Sequence, residues 1–114
     1  MTPTAEVEAA MAEAREQWDT HRKTIDAIIN LYGISRKQLA SRMGLGAMTL
    51  SNRLNGLKPI DPWELAGFAV ALEVPREVLD MQPSEAMHWV IEHRPANLRN
   101  RCYATSPLVG PLAA

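Results

Sequence analysis

The sequence of 114 residues contains one cysteine, Cys102, and three lysines, Lys23, Lys37 and Lys58. A lone thiol excludes an intrachain disulfide, and no group of cysteine and histidine has zinc-ligand spacing, so neither a metal nor a redox staple is expected. Long hydrophobic runs are missing as well. The longest, residues 65–72, falls far short of the roughly 20 apolar residues of a membrane-spanning helix. The first eighteen residues carry glutamates where an export signal needs a basic end and an apolar stretch, so a soluble, cytoplasmic protein is expected. Aromatics are few, three Trp, two Tyr and one Phe, and strict polar–apolar alternation is absent, which argues against extended sheet. Charge of one sign is also lacking: the net is -1, which as an average speaks against nucleic acid as a partner. The length suits one compact domain with appendages and excludes two full cores.

What is present is charge arranged in blocks. Residues 1–19 hold five acids and Arg15, a net of -4, and residues 20–58 hold seven bases (Arg22, Lys23, Arg36, Lys37, Arg42, Arg53, Lys58) against Asp26, a net of +6. Residues 59–92 return to -6, and Arg94, Arg99 and Arg101 give the remainder +3. Single surface bases are usually solvated, so the basic block needs a motif before it means anything.

The apolar pattern is helical throughout. Val7, Met11, Ala14, Trp18, His21, Ile25, Ile28 and Tyr32 recur four and three apart, one stripe on a helix that Thr4 can cap and Gly33 can stop. It reads either as one long helix or as two joined near Asp19-Thr20. Such heptads also suit a coiled-coil homodimer seam, but an Ala and a His weaken it, and packing on the chain's own core is the expectation. Ser35 and Gln38 have capping-box spacing for a second helix to Met43, with Leu39, Ala40 and Met43 on one face. Gly44-Leu45-Gly46 makes a tight turn into a third helix, Ala47 to Leu54. Asp61-Pro62 starts a fourth, Trp63 to Leu72, followed by a short fifth from Arg76 to Leu79. A sixth runs from Pro83 until Pro95 stops it. The expected organisation is an acidic helical extension (1–19), a central domain (20–82), a C-terminal helix (83–94) and a flexible basic tail (95–114).

Two short helices joined by a glycine turn, the second amphipathic and flanked by bases, have the form of a helix that can enter the major groove of B-DNA. Ser35 to Leu79 resembles the lambda-repressor-like (Cro/repressor, XRE-type) helix-turn-helix family in its five-helix, all-α form. The resemblance lies in Leu39-Ala40, Gly44-Leu45, Leu50-Ser51, Leu54-Asn55-Gly56, Lys58-Pro59, Glu64-Leu65 and Ala71-Leu72-Glu73-Val74, with residues 25–34 as helix one. It covers about half the chain. The resemblance implies that Ala47, Met48, Thr49 and Asn52 face base edges, Asn52 by bidentate pairing with adenine. It implies phosphate contacts for Ser51, Asn55, Lys58 and, at the second helix start, Arg36. Ala47 and Met48 depart from the family's usual polar readers, which points to thymine methyls or groove shape; Met48 is also open to packing on Trp63 or the core. Glu73 stands where a glycine is usual, and a distorted helix end is expected there.

An enzyme is not expected. His88 and His93 are five apart, off a shared helix face, and no base is held near Cys102. The family's longer phage repressors cleave themselves with a Ser-Lys pair, for which this chain has no suitable lysine. Leu112-Ala113-Ala114 resembles a degradation tag read by bacterial AAA+ proteases. The resemblance therefore implies a compact phage immunity repressor or Cro-like protein, in the cytoplasm of a bacterial host, on double-stranded operator DNA, as monomer or homodimer, without cofactor. An antitoxin or a protein-interaction module on the same fold is the alternative.

Overall fold

In the computed structural model, which describes residues 4–98, five α-helices and two short 3-10 turns pack around one core, with no strand among the described residues. The fold is all-α. The first helix, α1, runs unbroken over Ala5–Tyr32, about 42 Å at 1.5 Å per residue. Thr4 accepts from the Val7 amide at 3.2 Å and Gly33 closes the helix at φ 73°. Asp19-Thr20 is not a break, because nothing in that stretch resists helical torsions and Arg22 donates back to Asp19 at 2.9 Å across one turn.

The stripe on α1 splits into two fates. Ile25, Ile28 and Ile29 are buried, whereas every residue from Ala5 to Gln17 is exposed, Val7 and Met11 included. The expectation that the whole stripe packs on its own core is therefore corrected: the rest of the chain covers the helix only from Trp18 onward.

Helix α2 (Arg36–Met43) opens with the Ser35–Gln38 capping box, Gln38 amide to Ser35 hydroxyl at 3.0 Å and Ser35 amide to Gln38 Oε1 at 2.8 Å, and closes at Gly44, φ 70°. Helix α3 (Ala47–Leu54) follows after the three residues Gly44-Leu45-Gly46 and turns Leu50 and Leu54 into the core. Helix α4 (Pro62–Leu72) begins with proline at its first position, where no amide is needed, and buries Leu65, Phe68, Ala69 and Leu72. It ends at Glu73 in the left-handed region, φ 59°, ψ 40°, with the Glu73 amide donating to Ala69 and Val70 and the Val74 amide to Ala69 at 3.0 Å. The expected distortion is absent. The helix closes as it would with glycine, and Arg94 Nε holds the Glu73 carbonyl at 2.7 Å.

The 3-10 turn Arg76–Asp80 inserts Val78 and Leu79, and α5 (Pro83–His93) lays Ala86 and Val90 against α1. The chain from Pro95 is not wholly a loose tail: Pro95–Asn97 forms a 3-10 turn and Leu98 is buried. The remainder, with Cys102, Arg99, Arg101 and Leu112, Ala113 and Ala114, lies outside the described residues. Buried hydroxyls are satisfied across elements, Tyr32 to the Leu72 carbonyl and Thr24 to the Met81 carbonyl, both at 2.7 Å, each such bond contributing on the order of 1 kcal/mol. Burial pushes the Tyr32 phenol above its ordinary pKa. No described helix is long and apolar enough to cross a membrane.

Candidate nucleic-acid interface

Because Leu50 and Leu54 anchor α3 inward, its opposite face must point out. Ala47 is exposed and Met48 is 76% exposed, so Met48 is not buried in the core. Thr49, Ser51 and Asn52 are half-buried. The Asn52 side chain makes no hydrogen bond to any described residue, which leaves its carbonyl and its amine free together. Gly46 at the start of α3 supplies no side-chain cap, so the first amides of this helix keep their donors for an outside acceptor.

The remaining candidates meet at the other end of α3. From the first turn of α2, Arg36 Nη1 donates to Asn55 Oδ1 at 2.8 Å, while its Nη2 lies 3.2 Å from Asp26 Oδ1 on α1. Asn55 Nδ2 in turn donates to Ser51 Oγ at 3.2 Å. Three residues read from the sequence as phosphate contacts are thus one hydrogen-bonded chain, Arg36 to Asn55 to Ser51, that ties α2 to α3. Lys58 is exposed on the loop beyond and forms no ion pair with a described residue.

Arg22 belongs to this surface too, although its sequence context gave no hint beyond its charge. Gly56 takes φ 81°, and a Cβ there would stand 3.1 Å from Arg22 Nε. The glycine is needed both for its torsion and for the guanidinium that lies against it.

The basic block is less free than its composition suggests. Of its seven bases, Arg22 pairs with Asp19, Arg36 with Asp26 and Arg53 with Glu64, leaving Lys23, Lys37, Arg42 and Lys58 without a carboxylate among the described residues. The third pair is internal. Glu64 is 1% exposed, accepts from Arg53 Nε and from the Asp61 amide, both at 3.0 Å, and so caps α4 while bracing α3. Burial alone would raise the Glu64 carboxyl; the two hydrogen bonds and the guanidinium charge outweigh it and hold the pKa below its ordinary value. Neither local spacing nor periodicity pointed to this pair.

A second polar cluster lies where α1 meets the Arg76–Asp80 turn. His21, itself 9% exposed, sits 2.7 Å from Asp80, which also accepts from Arg76 at 3.1 Å. Desolvation opposes charge on Asp80, but hydrogen bonds from His21 and Arg76 prevail and its carboxyl is lowered. Between α2 and α4 an apolar cleft of about 500 Å³ is lined by Met43, Leu45, Trp63, Gly67 and Val70, with Arg42 at its edge. No three of His, Cys, Asp and Glu gather at metal-binding distance among the described residues. Compared with models of protein families, with curated proteins and with solved structures, the chain finds no match.

Proposed function

We propose that this protein is a sequence-specific DNA-binding transcriptional regulator of the lambda-repressor-like, Cro/repressor type, with α3 in the major groove. The observation that carries the reading is the Arg36–Asn55–Ser51 chain beside an outward α3 face whose one unengaged carboxamide is Asn52. A phosphate oxygen can accept from a remaining N–H of Arg36 while Nη1 stays on Asn55, since a guanidinium offers five donors in a fixed fork. Asn52 then reads adenine, and Ala47 and Met48 meet thymine methyls. In this role the protein acts as a phage immunity repressor or a Cro-like protein, occupying operator DNA and excluding RNA polymerase.

Phosphate neutralisation supplies most of the affinity. With the four unpaired bases and Arg36 meeting phosphates, log K should fall against log salt with a slope of about -4.5 for each bound chain. Mobility shift and footprinting on the DNA upstream of its own reading frame test the proposal. A protected site with this salt dependence is expected; failure to shift any of that DNA at low salt would remove DNA binding from the protein and favour a module that binds other proteins.

A further inference from the structure

The arm of α1 before Trp18 carries an apolar stripe that nothing covers. Val7 and Met11 are 47% and 57% exposed, Ala14 is exposed, and half-buried Trp18 marks where the arm leaves the body. These four positions continue the same four-and-three spacing that buries Ile25 and Ile28 lower on the helix; Trp18 packs in part on the core, and Val7, Met11 and Ala14 form a seam without a partner. We infer that the partner is a second copy of this chain, and that two arms pair as antiparallel helices in which Glu8 of each copy faces Arg15 of the other.

The order of residue sizes selects the direction. In an antiparallel pair centred between residues 11 and 14, Val7 lies against Trp18 and Met11 against Ala14, twice each by symmetry, so every layer joins a larger side chain to a smaller one. A parallel pair sets Ala14 on Ala14 and Trp18 on Trp18, one layer hollow and the other crowded.

Charge selects the same direction. Alongside the seam lie Glu8 and Arg15 on one flank and the uncharged Ala10 and Gln17 on the other. Antiparallel pairing brings each flank against its own counterpart, so the arm's one base meets Glu8 of the other copy in two equivalent ion pairs. Glu6, Glu13, Glu16 and Asp19 stay on the outer side of each helix, where the like charges of the two arms are kept apart. Parallel pairing instead sets Arg15 against Ala10. The contact is closed by a two-fold axis and stops at two copies. Its four layers make it small, and dissociation on the order of micromolar is expected.

Sedimentation of the full chain without DNA tests the pairing, so its outcome is independent of whether DNA binds. The wild-type protein should pass from monomer to dimer with concentration, and Met11→Glu should remain a monomer. Glu8→Arg and Arg15→Glu should each weaken association about tenfold, since each turns both ion pairs into repulsions. Mixing these two variants should restore a one-to-one dimer, because both contacts between position 8 of one copy and position 15 of the other then join opposite charges again. All three substitutions fall on exposed positions, and an unchanged thermal transition of the core verifies that each variant folds. A wild-type chain monomeric throughout, single reversals without effect, or a mixture that stays apart would each overturn the inference.

Discussion

Arg53 and Arg36 belong to the same basic block, and each is held by a carboxylate and a helix, yet they do different work. Arg53 is 17% exposed and its partner Glu64 is sealed at 2% by side chain, so the pair lies inside the protein and joins α3 to the start of α4. Arg36 and Asp26 are 35% and 39% exposed, and the second partner, Asn55, is at the surface. A charge whose partner is buried is committed, because separating the two strands an ion in low dielectric. A charge whose partners face water can exchange them for a phosphate at little cost. Formal charge counts both arginines equally; the burial of the partner decides which one can serve a ligand.

The sharpest way to break this comparison is to remove one member of each set. Glu64→Ala should lower folding stability by about 3 to 5 kcal/mol, as expected when a buried pair loses one ion, whereas Arg36→Ala should cost less than about 1 kcal/mol; denaturant titration measures both, and equal losses would erase the distinction. Acid tests the same pair. Glu64 is held below its ordinary pKa, so its contribution is complete above the usual carboxylate range and is lost as the pH falls through the lower, folded-state value. Thermal unfolding followed from neutral pH downward should show a steep acid limb, and Glu64→Gln should flatten it from a lower starting point.

Binding measurements sharpen the other side. Asn52→Ala should cost about 1 to 3 kcal/mol on the cognate site and little on unrelated DNA, whereas Arg36→Ala should weaken both by a similar factor and reduce the salt slope by about one unit. A uniform loss for Asn52→Ala would move it from base reading to backbone contact. A third arginine, Arg94, holds the carbonyl of a residue in an unfavourable conformation. Glu73→Gly should stabilise the fold by about 1 kcal/mol, the strain of a left-handed non-glycine residue; calorimetry showing no gain would mean that Glu73 takes this conformation without strain.

Much of the architecture was legible because it is written locally. Thr4 and Gly33, Ser35 with Gln38, Gly44 and Asp61-Pro62 are end signals within a few residues of the helices they bound, and each one bounds a helix here. The unbroken α1 was only half legible, since a threonine that can cap a helix is also tolerated inside one. The exposed arm was misread because a stripe shows that a helix has an apolar face and not what covers it. Of the candidate interface, the outward face of α3 follows from the phase of Leu50 and Leu54. The tie between Arg36 and Asn55 spans nineteen residues and that between His21 and Asp80 fifty-nine, and no local pattern specifies which distant residues fold side by side. Glu73 shows the opposite limit: the position was identified as a cap, but the arginine that holds its carbonyl lies twenty-one residues away.

The uninterrupted α1 makes the arm a shaft keyed to the body that carries α3. Because the helix has no joint at Asp19-Thr20, the azimuth of Val7 and Met11 is set by that of Ile25 and Ile28. One residue inserted near Thr20 would rotate the seam by about 100° and advance it by about 1.5 Å, while seven would nearly restore its heading and lengthen the shaft by about 10 Å. Length and heading of whatever the arm grips are therefore both encoded in a residue count, and the chain can retune the first only in whole heptads without losing the second.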